Sequence, residues 1–221
     1  MYVSRITLKQ DASNKPVFWK KFNNEYSLHQ AIWELFADNP DRRRDFLYRI
    51  DKIGKNAVIY AVSARLPKDK NNLWAIEQKP YEPQIKTGAQ LGFILTVSPV
   101  CKRDGKRHDV VMDEKYKIRK EASGNKNIES LADIVQKECF RWLKERSEKN
   151  GFSIIDGDVR ADGYRQHKYF KENKKGFIQY STVDYTGVLE VTDNAKFKDI
   201  LFNGLGPEKS FGCGLFLIRR I

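Results

Sequence analysis

The chain has 221 residues, enough for one large or two small domains, and 40% of them are hydrophobic, which is enough for a core. Lysine and arginine together number 41 against 29 aspartates and glutamates, so the formal net charge is +12. An excess of this size favours a polyanionic partner, because each phosphate that a cation neutralises releases counterions, although a basic surface also serves solubility alone.

Cysteine and histidine usage excludes several classes of protein. Cys101, Cys139 and Cys213 are odd in number and widely spaced, so neither a disulfide framework nor a CxxC metal site is indicated, and a reducing cytosol is favoured. No cluster of cysteine, histidine and aspartate has metal-ligand spacing, so we expect no metal and no other cofactor. No segment approaches the roughly 18 apolar residues of a membrane span or has the pattern of a signal peptide. The sequence therefore predicts a cytoplasmic protein with no membrane partner.

The N-terminal residues predict a strand followed by an amphipathic helix. Residues 2–8 alternate apolar and polar side chains imperfectly, as a β-strand does. From residue 25 the period becomes helical, and the apolar stripe contains Leu28, Ile32, Leu35 and Phe36. Tyr26, His29 and Trp33 share an edge beside it, within an arc of about 60°. From this pattern alone, Tyr26 and His29 are either boundary residues with no chemistry or part of a site.

The rest of the N-terminal half has weaker patterns. Residues 41–51 predict a short second helix, with apolar side chains inward and arginines toward solvent. Residues 57–66 predict a strand, and residues 73–76 carry a weak signal that fits either a helix or a strand. Pro80 and Pro83 favour an extended passage between two domains.

The C-terminal half has stronger patterns. Residues 91–100 predict a strand, residues 101–120 a basic, mobile loop, and residues 128–149 an amphipathic helix. The remaining predicted elements are strands at 152–159, 177–185, 186–192 and 215–219 and a helix at 194–202.

In this order the elements of each half can be written as βαββαβ, poorly in the first half and well in the second. The predicted fold class is α+β, with two tandem ferredoxin-like (RRM-like) domains at residues 1–85 and 90–221. No RNP-type aromatic motif occurs on the predicted strands, so stacking of RNA bases on a sheet face is not indicated.

A basic and aromatic segment between Val159 and Gln179 predicts a β-hairpin arm that turns near Glu172 and Asn173. Its cationic residues and histidine are Arg160, Arg165, His167, Lys168, Lys171, Lys174 and Lys175, interleaved with Tyr164, Tyr169 and Phe170. By composition this is either a solvated hairpin with aromatic stems or a basic arm for a polyanionic partner. Long cationic side chains suit the second use, because the major groove of A-form RNA is too deep and narrow for whole elements to enter.

Residues 204–214 contain four glycines and connect the last predicted helix to the last predicted strand. Glycine tolerates positive φ and close approach, so this segment is either a tight connection or an anion-binding loop that Lys209 and Ser210 line. A nucleotide-binding P-loop is excluded. In that motif Lys-Ser/Thr follows the last glycine and the loop leads from a strand into a helix, whereas Lys209 and Ser210 precede Gly212 here and the loop leads into a strand.

Four blocks of this sequence closely resemble the CRISPR repeat endoribonuclease family, specifically its CasE branch of the type I-E Cascade system. They are Gly-Leu-Gly-Pro-Glu-Lys-Ser-Phe-Gly-Cys-Gly-Leu at residues 204–215, Met-Tyr-Val-Ser at 1–4, Tyr-Ser-Leu-His-Gln-Ala-Ile-Trp-Glu-Leu-Phe at 26–36 and Arg-Asp-Phe-Leu at 44–47. The blocks occur in order at both ends of the chain. The departures from the family pattern, Val3 and Ile32, are conservative.

This resemblance implies two tandem ferredoxin-like domains and a sequence- and structure-specific, metal-independent endoribonuclease. The implied substrate is CRISPR precursor RNA, cut at the base of each repeat hairpin by attack of a ribose 2′-oxygen, with a 2′,3′-cyclic phosphate and a 5′-hydroxyl as products. The implied partners are the repeat hairpin, as precursor and as product guide RNA, and the other Cascade subunits. A non-catalytic scaffold that binds the same RNA hairpin is the alternative.

The resemblance also assigns residues. Tyr26 and His29 match the active-site pair of the family, and histidine, with an ordinary pKa of about 6.5, is suited to move a proton near neutral pH. Which of the two accepts the 2′ proton and which serves the leaving oxygen stays open. The expected RNA-binding residues are Arg165, Lys168 and Lys171 of the arm and Gly206, Lys209, Ser210 and Gly212 of the glycine-rich segment.

Overall fold

The structure is a computed structural model, which describes residues 1–22, 25–39, 43–53, 56–103, 105–121, 129–170 and 176–221. The strands are β1 (Tyr2–Leu8), β2 (Phe46–Ile53), β3 (Asn56–Ser63), β4 (Trp74–Pro80), β5 (Gln90–Val97), β6 (Val100–Arg103), β7 (Lys106–Asp109), β8 (Phe152–Ser153), β9 (Val159–Phe170), β10 (Phe177–Val191) and β11 (Phe216–Arg220). The helices are α1 (Pro16–Lys21), α2 (Glu25–Glu34), α3 (Val110–Glu121), α4 (Leu131–Ser147) and α5 (Asn194–Asn203), with 3₁₀ turns at Ala12–Asn14, Glu148–Asn150 and Lys209–Phe211. Within these described ranges, no helix is both long and apolar enough to cross a membrane.

The N-terminal sheet is fully antiparallel, with the strand order β2-β3-β1-β4. This is the order of a ferredoxin-like sheet, with α1 and α2 forming the crossover from β1 to β2. The second crossover helix is missing, since residues 64–73, all of them described, join β3 to β4 without a helix. The βαββαβ pattern is poor in this half for that reason.

The predicted helix at 41–51 is wrong. Residues Phe46–Ile53 form strand β2, which pairs with β3 along its whole length, and residues 41 and 42 lie outside the described part of the chain. Phe46 and Tyr48 belong to the core under α2, whereas Leu47 belongs to a cluster on the other side of the sheet. Because both faces of the strand are covered, its buried residues are consecutive and the alternation typical of a strand is hidden.

The C-terminal sheet has the strand order β11-β5-β10-β8, and β9 also pairs with β10. The series β5-α4-β9-β10-α5-β11 is a complete βαββαβ unit, as predicted. Two details of the prediction are wrong. The strands expected at 177–185 and 186–192 are one strand of 15 residues, β10, and the strand expected at 152–159 is only two residues long.

The basic segment at 101–120 is not a loop, contrary to the prediction. It contains the hairpin β6–β7 and helix α3. The carboxylate of Asp109 accepts a hydrogen bond from the backbone N–H of Val111 at 2.9 Å, which caps α3, and Val111 is fully buried. The cations lie on the outer face, where Arg103 and Lys117 pair with Asp113 at 2.7 and 3.1 Å. A charged outer face gives the same composition as a loop, which explains the error.

The two sheets meet through a small apolar cluster. Leu47 and Val62 of the N-terminal sheet and Leu215 near the C-terminus pack together, and each is at most 2% exposed. Leu215 directly follows the glycine-rich segment 204–214. The packing of this cluster therefore holds that segment against β2.

Candidate active site

Three elements that are distant in sequence meet at His29, namely α2, β2 and the 3₁₀ turn in the glycine-rich segment, and a cleft lies between α2 and this turn. The cleft has a volume of about 530 Å³, and its lining residues are Tyr26, His29, Gln30, Trp33, Glu34, Ser210 and Phe211. The structure thus brings together three of the residues singled out in the sequence, Tyr26, His29 and Ser210.

His29 is held by a chain of two hydrogen bonds. Its Nδ1 lies 2.7 Å from the hydroxyl oxygen of Tyr48, and that hydroxyl donates to the backbone carbonyl oxygen of Ser210 at 2.6 Å. A tyrosine hydroxyl has one proton to donate, so Nδ1 of His29 is the donor in the first bond. The neutral imidazole then carries its proton on Nδ1 and its lone pair on Nε2, the atom that can accept a proton.

Tyr48 keeps its hydroxyl proton and therefore acts as a neutral hydrogen-bond donor. It is completely buried, and this burial raises the pKa of its hydroxyl above the ordinary value, because the phenolate would lose its hydration. Its ring packs on Gly212, where φ is +82° and a Cβ would lie 3.3 Å from Cε2 of Tyr48. Gly212 therefore serves the position of Tyr48, and its expected RNA contact stays a prediction.

Aromatic rings surround His29. The centroid of its ring lies 5.4 Å from that of Phe211 and 6.2 Å from that of Tyr169, edge-on in both cases. Tyr26 lies near the same two rings, with centroid distances of 6.4 and 6.0 Å. The edge of α2 that carries Tyr26 and His29 therefore faces both the hairpin arm and the glycine-rich turn.

The hairpin arm supplies one wall of this aromatic cluster. Tyr169 and His167 on β9 and Tyr180 on β10 share a face, and the rings of His167 and Tyr180 stack at 4.8 Å. The ring centroid of Tyr180 also lies 4.9 Å from that of Phe211, so the base of the arm packs against the glycine-rich turn. The arm thus borders the aromatic cluster around His29 and is also a candidate RNA contact.

The two arm cations expected to contact RNA lie on opposite faces of β9, because side chains alternate along a strand. Nη2 of Arg165 pairs with the carboxylate of Asp184 at 2.8 Å. Nζ of Lys168 lies 4.4 Å from the ring centre of Phe177, a cation–π contact. The structure does not bring these cations together, and Lys171 lies outside the described residues.

Lys209 is the cation of the glycine-rich turn. Its Nζ donates to the carbonyl oxygen of Asn203, the last residue of α5, at 2.7 Å. Burial lowers the pKa of Lys209, and the positive charge of Arg44 lowers it further. Ser210 beside it contributes its backbone carbonyl to the chain through Tyr48.

Gly206 packs on the C-terminal core, away from His29. Its φ is +79°, and a Cβ there would lie 3.3 Å from Cη2 of Trp142 on α4. The structure therefore places it against the C-terminal core, and its expected contact with RNA stays a prediction. Over the described ranges, no group of three or more His, Cys, Asp and Glu side chains could hold a metal ion.

Sequence reasoning missed Tyr48 and gave no role to Tyr169 and Phe211. Tyr48 was hidden by the wrong helix over residues 41–51. The signal that could have found it is the unbroken run Phe46-Leu47-Tyr48 of apolar and aromatic residues, which fits a strand buried on both faces.

The fold and the site together define a class of protein. Two antiparallel sheets with ferredoxin-like strand order, joined in tandem and carrying a hydrogen-bonded histidine in a cleft, make this an α+β protein with two ferredoxin-like domains. The chain belongs to the CRISPR associated protein family, whose model matches residues 1–220. The resemblance seen in the four sequence blocks is thereby confirmed.

Named relatives cover almost the whole chain. It is 29% identical over 217 residues to the CRISPR system Cascade subunit CasE of Escherichia coli K12, covering 97% of each protein. It is 26% identical over 210 residues to the CRISPR-associated endoribonuclease Cse3 of Thermus thermophilus, covering 88% of this chain and 90% of the relative.

Solved structures have the same fold. The crystal structure of the CRISPR-associated protein Cas6e from E. coli K-12 matches with a TM-score of 0.64 and 26% identity, covering 100% of both chains. A structure of T. thermophilus Cse3 bound to an RNA representing a pre-cleavage complex matches with a TM-score of 0.70, covering 99% of this chain and 98% of the other. Because the sequence identity is only 20%, the second match shows a similar fold and nothing more.

Proposed function

We propose that this protein is a sequence- and structure-specific endoribonuclease that cuts CRISPR precursor RNA at the base of each repeat hairpin and stays on the product as a Cascade subunit. The family and the relatives named CasE and Cse3 support the substrate and the assembly. The observation that carries the chemistry is the pair of hydrogen bonds that connects His29 through the hydroxyl of Tyr48 to the carbonyl oxygen of Ser210. It orients an imidazole in a cleft beside Tyr26.

The proposed reaction needs two proton transfers and no protein nucleophile. The ribose 2′-oxygen attacks the adjacent phosphorus in line, the bond from phosphorus to the 5′-oxygen breaks, and a 2′,3′-cyclic phosphate and a 5′-hydroxyl result. Nε2 of His29 either takes the 2′ proton as the neutral ring or gives a proton to the 5′-oxygen as the imidazolium, and Tyr26 serves the other oxygen. Both assignments use the same nitrogen, because Nδ1 is engaged with Tyr48.

The cations of the glycine-rich turn and of the arm hold the RNA in this proposal. Lys209 lies beside Ser210 in the turn, where the ammonium of this half-buried side chain can contact a phosphate. Arg165 and Lys168 sit on the arm, and because they occupy opposite faces we assign them to different parts of the RNA stem. A cytoplasmic location belongs to the same proposal, since Cys101, Cys139 and Cys213 carry free thiols.

Incubation of the purified protein with repeat RNA in EDTA tests this function. We expect cleavage at one position and a 3′ product end that carries a cyclic phosphate, because protein groups alone carry the proton transfers. Activity that disappears in EDTA and returns with magnesium would contradict metal independence. RNA that is bound tightly and left intact under both conditions would favour the non-catalytic scaffold.

A further inference from the structure

In the Arg-Asp-Phe-Leu block at residues 44–47, one charged side chain, that of Arg44, has a buried nitrogen with no hydrogen-bond partner among the described residues. Phe46 and Leu47 are buried in two different apolar clusters. The carboxylate of Asp45 accepts three hydrogen bonds from Arg65, at 2.9 and 3.2 Å from Nε and 3.0 Å from Nη2. Arg44 differs, because its Nη1 is buried and has no hydrogen-bond partner within the part of the chain that the structure describes.

Among the residues that the structure describes, no negative charge compensates Arg44. Burial lowers the pKa of Arg44, and the side chain that most opposes this is the hydroxyl of Tyr48, which is neutral because burial raises its pKa. Lys209 is close enough that the charge of Arg44 lowers its pKa. The turn Lys209–Phe211 packs on β2, so the two cations act on each other near the point where that strand begins. A guanidinium with a buried, unsatisfied nitrogen costs folding free energy, so a residue of this kind is better explained by a ligand than by stability.

The position of this pair relates it to the hydrogen bonds that hold His29. Arg44 precedes Phe46 and Tyr48 at two-residue steps, in the stretch that leads into β2. Tyr48 donates to the carbonyl oxygen of Ser210, and Lys209 is the residue before it. Arg44 and Lys209 therefore both lie near the hydrogen-bonded chain that orients His29.

We propose that Arg44 and Lys209 form a phosphate-binding subsite beside His29, which takes a backbone phosphodiester of the RNA at or next to the cut bond. Arg44 supplies a planar donor fork through Nη1, and Lys209 supplies a second positive charge. The assignment of this phosphate to an RNA backbone rests on the proposed endoribonuclease function. The phosphate chemistry itself does not, and inorganic phosphate tests it separately.

The first experiment measures thermal unfolding of the full chain with and without inorganic phosphate at constant ionic strength. Its variants are Arg44→Met and Arg43→Met, the second being a control with the same charge change at an exposed neighbour. We expect Arg44→Met alone to have an unchanged or higher Tm without phosphate, because it removes an uncompensated, partly buried charge. Phosphate should raise the Tm of the wild type and of Arg43→Met, and not that of Arg44→Met.

The second experiment measures binding of a repeat hairpin whose ribose at the cut site is 2′-deoxy, so that it cannot be cleaved. Arg44→Met should bind about 10- to 100-fold more weakly, the worth of one charge-assisted hydrogen bond, and the salt slope should fall by about one unit. Arg43→Met should change affinity and slope by less than Arg44→Met.

The outcomes separate the two proposals. If Arg44→Met lowers the Tm by several degrees without phosphate, Arg44 is a structural cation and the subsite is wrong. Phosphate that stabilises neither protein, or both equally, also overturns it. A phosphate effect confined to proteins with Arg44, in a wild type that cuts no RNA, would support the subsite and reject the nuclease.

Discussion

Nδ1 of His29 and the hydroxyl oxygen of Tyr48 lie 2.7 Å apart, although 19 residues separate them in sequence. The same hydroxyl reaches the carbonyl of Ser210, 162 residues further along the chain. One phenol therefore connects α2, β2 and the glycine-rich turn, and it decides which nitrogen of His29 faces a reacting proton.

Replacing His29 with alanine should lower the rate of RNA cleavage by at least about 100-fold, the lower end of what general acid–base catalysis contributes. Affinity for uncut RNA should barely change, because cations carry it. Single-turnover cleavage and a binding titration measure the two effects. His108→Ala, a histidine on β7 in the other half of the molecule, is the control and should cut at the wild-type rate. A folded His29→Ala protein that cuts normally would move the active site elsewhere, and an unfolded one would make His29 a core residue.

Tyr26→Phe should slow cleavage by less than His29→Ala does. It removes a hydroxyl but keeps the ring that lies beside Tyr169 and Phe211, so the cleft keeps its shape. Single-turnover rates compare it with Tyr116→Phe, which removes a hydroxyl from an exposed tyrosine on α3. Equal rates for the two variants would exclude Tyr26 from proton transfer.

Tyr48→Phe should slow cleavage by about tenfold and lower the free energy of unfolding by about 1–3 kcal/mol, since it leaves the carbonyl of Ser210 without its donor. The acceptor for Nδ1 of His29 is also removed, and this costs the charged imidazolium more than the neutral ring. The limb of the pH–rate profile that reports protonation of His29 should therefore move to lower pH.

Tyr185→Phe is the matched control for that substitution. Tyr185 is also fully buried, and its hydroxyl donates to the backbone carbonyl of Cys139 at 2.7 Å, within the C-terminal core. It should lose similar stability and keep the wild-type pH–rate profile. An identical profile for all three proteins would mean that Tyr48 is structural only.

Gly212→Ala should reduce both stability and cleavage. Its φ of +82° strains any L side chain by about 1–2 kcal/mol, and the added Cβ would press on the ring of Tyr48. Gly88→Ala is the control, because φ is also +82° there and nothing lies within 4 Å of the added atom. Thermal unfolding should show a decrease for both variants, and cleavage a decrease for Gly212→Ala alone. Normal cleavage by the Gly212 variant would contradict the role of the glycine in positioning Tyr48.

Substitution of Arg165 and Lys168 with alanine should weaken RNA binding and lower the salt slope by about one unit for each phosphate that is no longer neutralised. The single variants should be additive, since the two side chains lie on opposite faces of β9. Titrations with a hairpin RNA at several salt concentrations measure the slopes. Unchanged slopes would mean that the arm is a solvated hairpin that binds no phosphate.

The sequence by itself determined the elements whose signal is local. The helix that carries Tyr26 and His29 on one edge follows from the 3.6-residue period. The glycine-rich turn follows from positions such as Gly212, whose positive φ only glycine adopts without strain. The C-terminal βαββαβ unit was predictable for the same reason, whereas the buried strand Phe46–Ile53 was not, because burial on both faces removes the alternation.

Only the tertiary structure decided which residues meet at the site. Tyr48 and Ser210 are brought to His29 by sheet pairing and by the packing of Leu47 on Leu215, and contacts over such separations leave no periodic trace in one sequence. Within the described ranges, the same packing leaves Nη1 of Arg44 without a hydrogen-bond partner, while Asp45 beside it pairs with Arg65. The sequence supplies both charges, and the fold alone decides which of them is neutralised, because pairing depends on distance and burial.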